Sequence, residues 1–162
     1  MGSGLSVWAM GITVVTVAGC VMIHFEVISL LRRWSARRSA PEATPGRDRP
    51  TLLLVMFGLL AAHVFEVAVF GAAMWLLARL CEQSALKGDV LTDGLLDYLY
   101  FSLANYTTVG WGDITAEGPL RFLAGMEALM GFLLITWSAS FTFLVMDRMW
   151  RDVWAERDNP RN

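Results

Sequence analysis

Thr107-Thr108-Val109-Gly110-Trp111-Gly112-Asp113 stands between an aromatic-rich segment, Asp97-Tyr98-Leu99-Tyr100-Phe101-Ser102-Leu103-Ala104-Asn105-Tyr106, and a long apolar run from about Leu120. Glycine alternates with bulkier residues, which opens the backbone to conformations that are costly for any residue with a Cβ. Successive carbonyls can then turn toward one side. A row of such carbonyls replaces the water shell of a cation.

The surroundings read as membrane. The chain has 162 residues, 56% of them hydrophobic, with a mean hydropathy of +0.49, and its charges are gathered into a few segments. The run from about Leu5 to Leu31 carries only His24 and Glu26 as ionisable groups, that from Thr51 to about Leu80 carries His63, Glu66 and Arg79, and that from Leu120 to Met146 carries Arg121 and Glu127. Each exceeds the roughly 20 apolar residues that cross a bilayer. Three transmembrane helices are therefore expected. The first lacks a basic N-terminal region and is followed by arginines instead of a small-residue cleavage pattern, so it is expected to be retained and not removed as a signal peptide.

Charge gives the orientation. Between the first two spans, Arg32, Arg33, Arg37, Arg38, Arg47 and Arg49 face only Glu42 and Asp48, and short basic loops stay in the cytoplasm. Between the second span and Gly110, Glu82, Asp89, Asp93 and Asp97 outnumber Lys87, which makes that side external. The N-terminus is then expected outside and the C-terminus in the cytoplasm of a multi-pass plasma-membrane protein. Pro41, Pro45, Gly46 and Pro50 make the basic segment a turn-rich linker. The expected divisions are 1–31 for an N-terminal transmembrane helix, 32–50 for the linker, 51–146 for a pore domain and 147–162 for a cytoplasmic tail, with no soluble regulatory domain.

The stretch from about Gly94 to Thr107 is too short to cross and too apolar for a surface loop. About 14 helical residues rise roughly 21 Å, which carries the chain partway in before Thr107–Asp113 returns it. Irregular backbone at that depth survives only buried in protein or lining a water-filled cavity. The helix also points its partly negative C-terminus inward, where it favours a cation.

This segment resembles the selectivity filter of potassium channels, whose usual form is T-V-G-Y-G, with Trp111 in place of the usual Tyr. The resemblance spans roughly Thr51 to Met146, the outer helix, pore helix, filter and inner helix of two-span potassium channels. Its most specific part is the seven-residue filter with Tyr106 before it and Ile114 after it. It implies that Thr108, Val109, Gly110 and Trp111 offer carbonyls to K+, with the Thr108 hydroxyl closing the inner end, Gly112 allowing the outward turn and Asp113 bracing the filter from behind. Thr107, Tyr100 and Glu127 fall at supporting positions. Gly131 falls about where the family's inner helix carries a hinge glycine, although a lone glycine in a span also serves close packing. Two departures bear on selectivity. Indole is larger than phenol and offers one N–H instead of a hydroxyl, and Ala104 stands where some members carry a pore-helix Glu.

His63 and Glu66 are three apart and share one face of the second span. Buried polar groups in lipid often mark function, but this pair reads first as a structural one, with Glu66 accepting from His63 or from a neighbouring hydroxyl and fixing packing against the first span. A proton-sensitive switch is the competing reading. His24 and Glu26 are expected to snorkel toward the nearby arginines. The echo between His24-Phe25-Glu26 and His63-Val64-Phe65-Glu66 has unequal spacing and reads as coincidence, and two groups at one spacing do not make a metal site. Glu127 is expected to brace the filter in preference to lining the cavity, because four close carboxylates would oppose one another's ionisation.

Trp8, Trp75, Trp34, Trp150 and Trp154 fall near span ends as an aromatic belt, while Trp137 lies inside the third span. Cys20 and Cys81 lie far apart along their spans, too far for an intrachain disulfide. The chain is thus read as an all-α integral membrane protein: three transmembrane helices with a re-entrant pore helix and filter loop, forming a homotetrameric, potassium-selective pore among membrane lipids. It needs no cofactor beyond the permeant ion. The alternatives are a nonselective cation channel and a non-conducting auxiliary subunit. No nucleophile, base and orienting group converge as in an enzyme, and arginines beside a span do not suggest nucleic-acid binding. Without repeated arginines the first helix is not a voltage sensor of the usual kind, so the gating stimulus is left open.

Overall fold

The structure, a computed structural model, describes residues 2–38, 48–81, 83–88 and 94–158. The middle of the linker, residues 39–47 with Pro41, Glu42, Pro45, Gly46 and Arg47, lies outside the described residues, as do Glu82, Asp89, Asp93, the side chain of Trp154 and residues 159–162. The chain order is α1 (Gly2–Arg38), α2 (Asp48–Leu80), β1 (Leu86–Gly88), α3 (Leu95–Tyr106), β2 (Ile114–Ala116) and α4 (Leu120–Asp158). Within α1, α2 and α4, the stretches Val7–Arg37, Arg49–Leu80 and Leu120–Arg148 are long and apolar enough to cross a membrane. The fold is an all-α membrane fold.

The short α3 is set by its sequence. Gly94 at its N-cap holds extended backbone, and the Asp97 carboxylate accepts from the Gly94 amide at 3.2 Å, placing a negative charge at the positive end of the helix dipole. Helix α3 packs between α2 and α4. Its C-terminal Tyr106 reaches the level of Glu66, midway along α2, because the Tyr106 hydroxyl donates to the Glu66 carboxylate at 2.5 Å. A helix that enters beside the end of α2 and stops at mid-depth is the re-entrant element expected from its length.

The outgoing chain is tied down by two strands that the sequence did not suggest. β1 pairs antiparallel with β2, with Leu86 opposite Ala116, Lys87 opposite Thr115 and Gly88 opposite Ile114. Lys87 and Glu117 add an exposed ion pair at 2.7 Å beside this ladder. The loop after α2 is thereby fastened to the segment that follows Asp113.

One apolar cluster joins Phe70, Met74 and Leu77 of α2, Tyr98, Phe101 and Tyr106 of α3, and Leu123 and Leu134 of α4. At the far end, Ile28, Val55, Leu59 and Phe141 form a second cluster across α1, α2 and α4. In lipid such contacts act through close packing and interhelical hydrogen bonds, because leaving lipid for protein gains no hydrophobic free energy. Large side chains such as Val15, Phe57, Phe65 and Phe143 point outward, as lipid-facing residues do. Trp8 and Trp150 are exposed, and Cys20 and Cys81 are buried free thiols.

Candidate ion-conduction site

The candidate filter, residues 107–113, grows directly from α3. The Thr107 hydroxyl donates back to the Leu103 carbonyl at 2.7 Å, the Thr108 amide donates to Asn105 O at 2.8 Å and the Gly110 amide to Ala104 O at 3.0 Å. These bonds consume carbonyls that the last helical turn would otherwise leave free. Beyond them the chain alternates: Thr108 has φ 60°, Gly110 φ 52° and Gly112 φ 78°, while Val109 and Trp111 keep negative φ. Alternating the sign of φ turns successive peptide planes over relative to an ordinary strand, so neighbouring carbonyls face the same way. For Thr108 the left-handed region costs about 1–2 kcal/mol, and the bond from its amide to α3 holds it there.

Asp113 is gripped from α3. The Tyr100 hydroxyl donates to its Oδ2 at 2.8 Å, and the adjacent carboxylate holds the phenol above its usual pKa. The Tyr100 hydroxyl is thereby committed to Asp113. The Trp111 indole is 71% exposed and Val109 52% exposed, so one chain leaves its filter open along a side. A cavity of about 580 Å³ lies there, bordered by Tyr100, Ala104, Trp111, Asp113, Ala124 and Ala128.

Behind the filter, α4 and α3 meet closely. A Cβ at Gly131 would lie 2.0 Å from the carbonyl oxygen of Tyr106, so glycine here is required by packing. Helix α4 runs unbroken through this position. Four residues earlier, Glu127 is fully buried and contacts the Ser102 hydroxyl of α3. Ser102 has one proton and also approaches the Val67 carbonyl at 2.8 Å. The Ser102 hydroxyl thus faces both the Glu127 carboxyl and the Val67 carbonyl, one proton between two acceptors. The other Glu127 oxygen has no hydrogen-bond partner among the described residues.

His24 corrects the sequence reading. It does not snorkel toward the arginines: it is fully buried, with Nδ1 2.9 Å from Glu66 Oε1. Helix α1 is longer than a single crossing, so His24 sits a full turn and more inside Arg32 and faces α2. Glu26, two residues on, is exposed. The two histidines that looked unrelated therefore converge on one carboxylate, with ring centroids 5.2 Å apart. His63 Nδ1 lies 2.8 Å from the Tyr106 hydroxyl and 3.3 Å from Glu66 Oε2. Both histidines direct Nε2 to Ser138 Oγ of α4, at 3.0 Å from His63 and 3.2 Å from His24. Trp137 packs on His24 with centroids 5.5 Å apart.

Ser138 and Tyr106 were the members sequence reading missed. Tyr106 was noted only as the filter's neighbour, and a serine inside a span carries no signal of its own. The clue available was that each of the four helices carries a polar residue at comparable depth.

A family model described as ion channel matches residues 51–148. The chain belongs to that ion-channel family, and the resemblance to the potassium-channel pore family stands. It is a membrane-embedded ion channel. No curated protein and no solved structure is matched by the chain.

Proposed function

We propose that the protein is a potassium-selective channel of the plasma membrane, built as a homotetramer whose four filters line one axis. The observation that carries this reading is the alternation of φ at Thr108, Gly110 and Gly112 within T-T-V-G-W-G-D at the inner end of a re-entrant helix. The open flank at Val109 and Trp111 supports it, because a carbonyl cage around a cation needs more than one chain. Thr108, Val109, Gly110 and Trp111 supply the carbonyls to K+, Gly112 turns the chain out, and Thr107, Tyr100, Asp113 and Glu127 support the filter. Gly131 seats the inner helix against the pore helix. Residues 51–146 form the pore domain, the N-terminus is external and the tail from 147 is cytoplasmic.

A nonselective cation pore is the second reading, favoured by one observation: the exposed Trp111 indole makes no hydrogen bond among the described residues, so the indole itself does not tighten the filter from behind. Purified protein in liposomes loaded with K+ tests the proposal. Passive K+ efflux with Na+ excluded supports it, equal K+ and Na+ flux supports the second reading, and impermeable vesicles refute both.

A further inference from the structure

Glu66, Tyr106, His63, Ser138 and His24 form a closed circuit of hydrogen bonds drawn from all four helices. Going round, the contacts are Tyr106 to Glu66 at 2.5 Å, Tyr106 to His63 at 2.8 Å, His63 to Ser138 at 3.0 Å, Ser138 to His24 at 3.2 Å and His24 to Glu66 at 2.9 Å. Every contact needs one proton between its two atoms. With Glu66 ionised and both imidazoles neutral, the phenol, the serine hydroxyl and the two rings supply one proton each, one short of the five contacts. The shortfall falls at Ser138, whose single proton cannot serve two accepting Nε2 atoms.

One further proton closes the circuit. It can sit on either ring as imidazolium beside the Glu66 carboxylate, or on Glu66 with both rings neutral, and in each case all five contacts are filled and the net charge is zero. A sixth proton finds no acceptor and leaves a positive charge in a buried site. One fewer sets two lone pairs against each other and leaves a negative charge there. Both are costly away from water.

We infer that these five side chains form a single-proton binding site whose occupancy controls how firmly Tyr106, the residue before the filter, is held by α1, α2 and α4. This rests on the channel reading for its effect on conduction but not for the site itself. Tyr106 is held twice, by its hydroxyl in the circuit and by its carbonyl against Gly131, so opening one contact loosens the base of the filter on one side. The other ionisable groups nearby are Cys20, a buried free thiol on α1, and Glu127 on α4, which is bonded to Ser102 outside the circuit. Neither supplies a contact to it. A metal ion is the competing occupant, because ligand atoms of His24, His63 and Glu66 lie within 4.8 Å of one another, but each of those atoms is already engaged with a hydrogen-bonding neighbour.

The chain has two histidines, so 15N-histidine labelling of untagged protein in lipid bilayers reports this circuit and nothing else. Nitrogen shifts between about pH 5 and 9, the range that brackets an ordinary histidine, are expected to move together for both rings at one midpoint, with one proton released per chain. In Ser138→Ala the link through α4 is gone and the rings stay joined only through Tyr106 and Glu66, so their coupling is expected to weaken and the two midpoints to separate. Independent titration in the wild type, or unchanged coupling in Ser138→Ala, overturns the site. Saturable capture of both rings by one Zn2+ per chain assigns it to a metal instead and also overturns it. In liposomes, K+ flux is expected to change about fivefold across the same midpoint, the shift that follows from one hydrogen bond of about 1 kcal/mol. Constant flux across that midpoint, in a protein that conducts, overturns control of the filter. Absence of flux at every pH counts against the channel reading, and the nitrogen titration still judges the circuit.

Discussion

Gly110 holds φ 52° with nothing within 4 Å of where a Cβ would stand in the same chain. A substitution there therefore acts through backbone conformation more than crowding. Gly110→Ala is expected to abolish K+ flux while leaving expression and assembly intact, at a conformational cost of about 1–2 kcal/mol; undiminished flux in liposomes would place the ion path elsewhere. Tyr100→Phe removes the hydroxyl that holds Asp113 with little change in shape. Conduction is expected to persist and to decay sooner during sustained recording, and an unchanged time course would show that Asp113 needs no hold from α3. Because Asp113 keeps the Tyr100 phenol protonated past its usual pKa, this support is present at neutral pH and is lost only as pH rises above the ordinary tyrosine range of about 10. Trp111→Tyr restores the usual residue of the resembled filter, and potassium over sodium selectivity, read from reversal potentials, is expected to stay or sharpen.

At the scale of elements, α3 was legible because its aromatic, apolar residues are bounded by Gly94 and by the threonines that begin the filter. It was expected over about Gly94–Thr107 and runs Leu95–Tyr106. The β1 and β2 pairing was not legible, since three-residue strands carry too few alternations to signal and are formed by a partner almost thirty residues away. His24 was misplaced for a related reason: which face of α1 meets α2, and at what height, is set by packing between helices and not by the composition of either. Gly131 shows the reverse case, where sequence position suggested a hinge and the structure supplies a contact that only glycine permits. Gly131→Ala is expected to push α4 away from Tyr106 and to lower the thermal stability of the assembled protein in detergent, since its Cβ would meet backbone and not a movable side chain. Normal stability with altered open probability would favour the hinge.

Across the whole molecule, α1 is more than an added span. It contributes His24 to a hydrogen-bonded set that includes both the outer and inner helices and the last residue before the filter. Interhelical hydrogen bonds in lipid contribute about 0.6 kcal/mol each on average, so such a set fixes register more than it adds stability. Residues 107–113 are all exposed in one chain, and four copies around an axis would cover them. The most direct measurement is the reversal potential of the purified, untagged protein in a planar bilayer with K+ on one side and Na+ on the other. A single-channel current reversing close to the K+ equilibrium potential is the predicted result, and a current reversing near zero would contradict a potassium-selective filter at Thr108–Gly112.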